Sequence, residues 1–163
     1  MIKFICLIIL LLITFIYNGY VLMKYKKIPE SLSETSYLFG GNKRYFFTLY
    51  TLCISGFLLP LLLTYTSEML EFLPFIFCGG ILFAGFSPLF KEKIDKEVHY
   101  TAALISFISF IFYLVFYMGW QWFLAYLITF LITFFIWKKE KIVYFAEMIG
   151  ILMLIIWLLT IKV

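Results

Sequence analysis

Six apolar runs, each about as long as a bilayer is thick, leave this chain few ways to fold. They cover residues 2–23, 45–65, 72–90, 100–117, 120–137 and 142–161. A helix rising about 1.5 Å per residue needs roughly 20 such residues to cross ~30 Å of hydrocarbon. A β-barrel would instead show segments of about 10 residues alternating apolar and polar positions. These runs are continuous and far longer, so helices are predicted. Composition agrees: 65% of residues are hydrophobic and 13% charged, against about 25% charged in an average soluble domain. The mean hydropathy is +1.07. A water-soluble fold of this size could not hide so much apolar surface. The expected fold class is all-α, a polytopic transmembrane helical bundle of about six spans, forming one transmembrane domain over 1–163. The start, Met1-Ile2-Lys3 and an apolar run, faintly resembles a signal peptide. The run ends in bulky Tyr17, Tyr20 and Val21 with no small-residue cleavage motif, so it reads as the first span.

Orientation follows from the cations. Of the 13 Lys and Arg residues, eleven fall in three connections: Lys24, Lys26, Lys27, Lys43 and Arg44; Lys91, Lys93 and Lys96; Lys138, Lys139 and Lys141. Only Lys3 and Lys162 fall on the opposite side. This pattern predicts basic connections in the cytoplasm, both termini outside, and a multi-pass protein of the inner (cytoplasmic) membrane. Met118-Gly119 alone separates the fourth and fifth spans, which predicts a tight helical hairpin. In the longest connection, Ser31-Leu32-Ser33-Glu34 has the Ser-X-X-Glu form of a capping box, in which the two side chains satisfy orphan backbone N–H groups. A short helix over 32–39, stopping at Gly40-Gly41, would lie on the inner membrane surface through Leu32, Tyr37, Leu38 and Phe39. An irregular loop is the alternative.

The motifs of soluble enzymes are absent: no Gly-rich phosphate loop, no His-Glu-X-X-His, no Gly-X-Ser-X-Gly. A single histidine rules out a multi-histidine zinc site within one chain. Cys6, Cys53 and Cys78 sit in apolar runs without metal-ligand spacing and read as small buried hydrophobes. No metal, no cofactor and no nucleic-acid partner are expected.

Polar residues at membrane depth are costly, and they direct the search for a site. Glu147 lies about two turns into the sixth span, with Ala146 and Gly150 allowing close approach of a neighbour. It reads as a proton- or substrate-handling carboxylate, or as a structural carboxylate paired nearby. His99 opens the fourth span, and helical spacing from it runs through Ala102, Ser106, Ser109 and Tyr113. That stripe either packs tightly or lines a polar cavity. Asn18, with Thr14 one turn further in, lies about as deep as Glu147. Asn18, His99 and Glu147 thus share one level on three spans, with Ser31, Ser33 and Glu34 able to fold over them as a lid. These residues and Ser106 are the candidate substrate-binding set. Glu68, Glu71 and Gln121, on the other side, read as solvated loop residues.

The words Pro29-Glu30-Ser31-Leu32-Ser33-Glu34-Thr35, Pro88-Leu89-Phe90 and Val98-His99-Tyr100-Thr101-Ala102-Ala103 resemble those of a group of small uncharacterised membrane proteins of Bacteroidetes bacteria and their phages. That resemblance implies no activity. The outline is also similar to six-span proteins of the autophagy-modulator and GPI-remodelling type. Those have a Pro-X-X-Ser-acid element after span 1 and a His opening span 4, here Ser33-Glu34 and His99. Their first connection is usually non-cytoplasmic, whereas here it is the most basic one.

Three functions fit these features. The leading one is a cytoplasmic-side pocket on Asn18, His99 and Glu147 for a lipid headgroup or small amphiphile, with basic loops favouring anionic lipid. The second is a structural or accessory subunit whose aromatic-rich spans pack against a protein partner or a second copy. The third is a small transporter, or a holin-like phage lysis protein. Membrane lipids are partners in each.

Overall fold

The structure is a computed structural model that describes residues 2–39, 45–87, 92–137 and 139–161. Several expectations lie outside the described residues: the helix stop at Gly40-Gly41, the end of the third span at 88–90, and Lys43, Arg44, Lys91, Lys138 and Lys162.

Among the described residues the chain is helical, without strands. The helices are α1 (Ile2–Tyr25), α2 (Glu34–Phe39), α3 (Tyr45–Tyr65), α4 (Phe72–Phe86), α5 (Glu92–Tyr113), α6 (Trp120–Ile136) and α7 (Ile142–Thr160). Five segments are long and apolar enough to cross a membrane: α1, α3, residues 68–86 ending in α4, the α5 region and α7. The sixth, α6, has 17 residues, at the short end of the range of about 17–25 that spans hydrocarbon. The fourth apolar helix begins earlier than position 100, at Glu92, because Glu92–Val98 continue the turn on the polar side of the apolar run.

The surface explains why these helices need lipid. Ile8, Phe15, Ile16, Leu49, Phe83 and Phe135 are all exposed on the outside of the bundle. So many exposed large apolar side chains are not sustained in water. The core, in contrast, is stitched by hydroxyls that donate to backbone carbonyls of neighbouring helices. Thr48 donates to Gly85 at 2.7 Å, Ser55 to Cys78 at 3.1 Å and Ser106 to Phe77 at 2.8 Å. Small residues at helix crossings permit this closeness. A Cβ on Gly80 would fall 2.6 Å from that of Ser106. The stripe from His99 through Ala102, Ser106 and Ser109 to Tyr113 is therefore largely a packing face against α4, and Tyr113 reaches Thr66 at 3.0 Å.

The helices form a curved row, α5–α4–α3–α1–α7–α6. Its two ends, α5 and α6, are consecutive in the chain. They are joined by a π-helical turn at Leu114–Met118 and by Gly119, whose φ of 99° only glycine adopts freely. The hairpin closes the row at one end of the bundle. At that end Lys3 donates to the Ile161 carbonyl at 2.7 Å and lies 4.8 Å from the Tyr65 ring centre, joining α1, α3 and α7. The other end carries the described basic residues Lys24, Lys26, Lys27 and Lys141 and is called the basic end below.

Candidate functional site

Residues 26–39 form a strap across the basic end. Lys26 adopts a left-handed φ of 50°, and its N–H donates to the Leu22 carbonyl at 2.9 Å, which caps α1 and turns the chain back over the bundle. One half of the expected capping box forms, and the other is displaced by one residue. Ser31 Oγ accepts the Glu34 N–H at 3.1 Å, and the Glu34 carboxylate accepts the Glu30 N–H. Glu34 also pairs with Lys27 at 3.2 Å, an exposed pair of small energetic value. Ser31 and Glu34 thus shape the strap.

The strap faces inward. Leu32 and Phe39 are buried, and Phe39 is surrounded by the rings of Tyr17, Tyr20, Tyr25 and Phe46. Thr35 and Ser36 are fully buried, and Thr35 Oγ1 shares a hydrogen bond with the Tyr17 hydroxyl. The expected surface helix over 32–39 is therefore shorter, Glu34–Phe39, and of its four expected membrane contacts Leu32 and Phe39 pack into the bundle instead. The reason is that the bundle end offers both an aromatic socket and polar anchors.

Those anchors belong to α7. The first N–H groups of a helix have no partner within it. The Tyr144 N–H donates to the Glu30 carbonyl at 3.0 Å. In the other direction, the Leu32 N–H donates to Glu147 Oε2 at 2.7 Å. Asn18 completes the joint. Its Nδ2 donates to the Thr14 carbonyl at 2.8 Å, and its Oδ1 accepts the Tyr144 hydroxyl at 2.9 Å. Beside it, Thr14 Oγ1 and the Tyr50 hydroxyl are buried and, among the described residues, lack a hydrogen-bond partner.

Beneath the strap lies a cavity of ≈ 400 Å³. Leu32 and Ser33 cover it, and α3, α4, α5, α6 and α7 wall it. Its floor is Phe110, which packs edge-on to Tyr126 at 5.4 Å and would contact a Cβ on Gly150 at 3.2 Å. The walls are mostly apolar. The sequence candidates Ser33, His99, Ser106 and Glu147 contribute polar side chains, as do Tyr50, Thr51 and Tyr126. Of the seven sequence candidates, these four line one cavity, whereas Asn18, Ser31 and Glu34 do not.

His99 and Glu147 share the cavity without pairing. His99 Nδ1 lies 2.9 Å from Ser87 Oγ and 3.2 Å from the Ala84 carbonyl. A carbonyl only accepts, so we assign the proton of the neutral ring to Nδ1. The ring is held by the end of α4, and Lys27–Glu34 is the one ion pair among the described residues. A double-mutant cycle of His99→Phe and Glu147→Leu, read as thermal stability in detergent, is expected to be additive within about 0.5 kcal/mol. A coupling well above that would place the two side chains in contact.

Tyr17, Tyr144 and the Leu32 N–H were not among the residues expected at this site. A signal existed for Tyr144: it stands three residues before Glu147, on the same helix face. Tyr17 and Leu32 carry no such mark. Among the described residues no three His, Cys, Asp or Glu side chains gather to hold a metal ion.

The fold and the cavity define an all-α helical bundle with the make-up of a membrane protein and a pocket under a strap at one end. Comparison with family models, curated proteins and solved structures returns no match for this chain.

Proposed function

We propose that this chain is a multi-pass protein of the inner membrane that holds a lipid headgroup or small amphiphile in the cavity at its cytoplasmic end. The observation that carries the reading is the cavity itself: ≈ 400 Å³, apolar walls, and the side chains of His99, Ser33 and Glu147 from three separate elements. Binding sites for small molecules have this size and this mix of apolar wall and few polar groups. The strap covers the pocket from the water side. Its contact with Glu147 makes that carboxylate both an anchor of the lid and a group offered to the occupant.

The test is occupancy. Protein extracted in mild detergent is expected to carry an amphiphile, detected by mass spectrometry of the denatured sample. Ala103→Phe, which fills the cavity from α5, is expected to remove it. Equal amphiphile content in both forms would sink the reading and favour a filled, structural centre.

The side assignment rests on the eleven clustered cations. Cysteine-accessibility labelling is expected to find 24–44, 91–98 and 138–141 inside and both termini outside. External labelling of 24–44 would reverse the orientation.

A further inference from the structure

We infer that the occupant is a single-chain amphiphile with a hydrogen-bond-donating headgroup, an ammonium above all, and that it enters from the bilayer through the seam between α5 and α6. This rests on the pocket reading above and names its ligand class and route.

The headgroup follows from the donors and acceptors in the cavity. Glu147 accepts one bond, from the Leu32 N–H through Oε2, and among the described residues no Lys or Arg pairs with it. His99 carries its proton on Nδ1, toward Ala84, so Nε2 is an acceptor. Ser106 spends its hydroxyl proton on the Phe77 carbonyl. No Lys or Arg lines the cavity among the described residues. The Tyr50 hydroxyl also lines the cavity and, among the described residues, has no partner, so it is one free donor set against the Glu147 carboxylate and His99 Nε2; acceptors outnumber donors. An ammonium offers three donors and no acceptor. An ammonium beside Glu147 would favour its charged form, whereas a carboxylate or phosphate head would add a like charge and disfavour it. Beyond this end the walls are Ile54, Phe77, Ile81 and Phe107, which suit an alkyl chain.

The route follows from the packing of the row. α5 packs on α4, and α6 packs on α7 and on the π-helical turn. Phe110 and Tyr126 meet across the seam. On the basic side of that contact, Phe107 of α5 and Phe130 of α6 line the cavity, yet Phe107 is 47% exposed and Phe130 is partly exposed. The cavity thus opens sideways, within the apolar belt, while the strap covers the end facing water.

A diazirine-bearing long-chain alkylamine, the alcohol and the carboxylate of equal chain length test this in neutral-lipid vesicles containing the full chain. The amine is expected to crosslink at Phe107, Phe130 or Val143 about tenfold more than the carboxylate, the ratio of a charge-assisted hydrogen bond. Glu147→Gln, which keeps an acceptor for the Leu32 N–H, should lower amine labelling to the level of the alcohol. Ala103→Phe should abolish it. Excess methylammonium in the water should leave it unchanged. Equal labelling by all three probes, or strongest labelling by the carboxylate, would overturn the ligand class and leave the pocket standing. Competition by methylammonium would overturn the seam. Absence of pocket labelling by every probe would overturn the pocket itself.

Discussion

Replacing Gly85 with alanine is expected to destabilise the bundle by about 1–3 kcal/mol, the usual cost of forcing atoms into a packed core. A Cβ at Gly85 would run into Thr51 Oγ1 and sit 2.6 Å from the Thr51 Cβ. Thr51 is β-branched and short, so its bulk cannot swing away. The same crossing holds the hydrogen bond from Thr48 to the Gly85 carbonyl, which α3 would lose on moving outward. Thermal melting in detergent should show a clear drop. Adding Thr51→Gly should restore much of it, because the second change removes the colliding atoms. If Gly85→Ala melts with the unaltered protein, α3 and α4 do not cross as closely as described.

The second large effect concerns Glu147. Its carboxylate is the partner of the Leu32 N–H. Glu147→Leu leaves that N–H without an acceptor, at a cost of about 1–3 kcal/mol. The loss should appear in the strap first, because α7 keeps its own apolar packing through Leu154, Ile155 and Leu158. Hydrogen exchange in peptides covering 26–39 is expected to speed up about tenfold or more, equivalent to ~1.4 kcal/mol of easier opening. Glu147→Gln keeps a carbonyl oxygen and should retain most of the protection. Unchanged exchange in the leucine variant would mean that the Tyr144–Glu30 bond and Phe39 hold the strap unaided.

The helices could be read from the sequence because each is a local property. An apolar run needs no knowledge of its neighbours to become a helix, and Gly119 announced its turn. The bond from the Glu34 N–H to Ser31 Oγ was legible for the same reason: its atoms lie within three residues. The site was legible only in depth. Asn18, His99 and Glu147 could be assigned to one level, but their rotation about each helix axis depends on which helices touch. That is why Asn18 is a joint to Tyr144 and not a cavity wall. Helix order in the row is also unmarked in the sequence, so nothing predicted that a backbone N–H from the first connection would meet a carboxylate on the last helix.

That last contact sets an order of events. Leu32 and Glu147 are 115 residues apart, Asn18 and Tyr144 are 126 apart, and Lys3 and Ile161 are 158 apart. During synthesis α1 and the strap emerge early, and their partners on α7 emerge after α3, α4, α5 and α6 have been made. Until then the Leu32 N–H, the Glu30 carbonyl and Asn18 Oδ1 lack their native partners, and five helices must assemble around an unfinished end. A chain released after α6 would hold α3, α4 and α5 together, yet its strap would lack its α7 anchors and rest only on Phe39 and Thr35. Quality control that senses exposed polar groups in the membrane would therefore read the closing of this end of the bundle at α7.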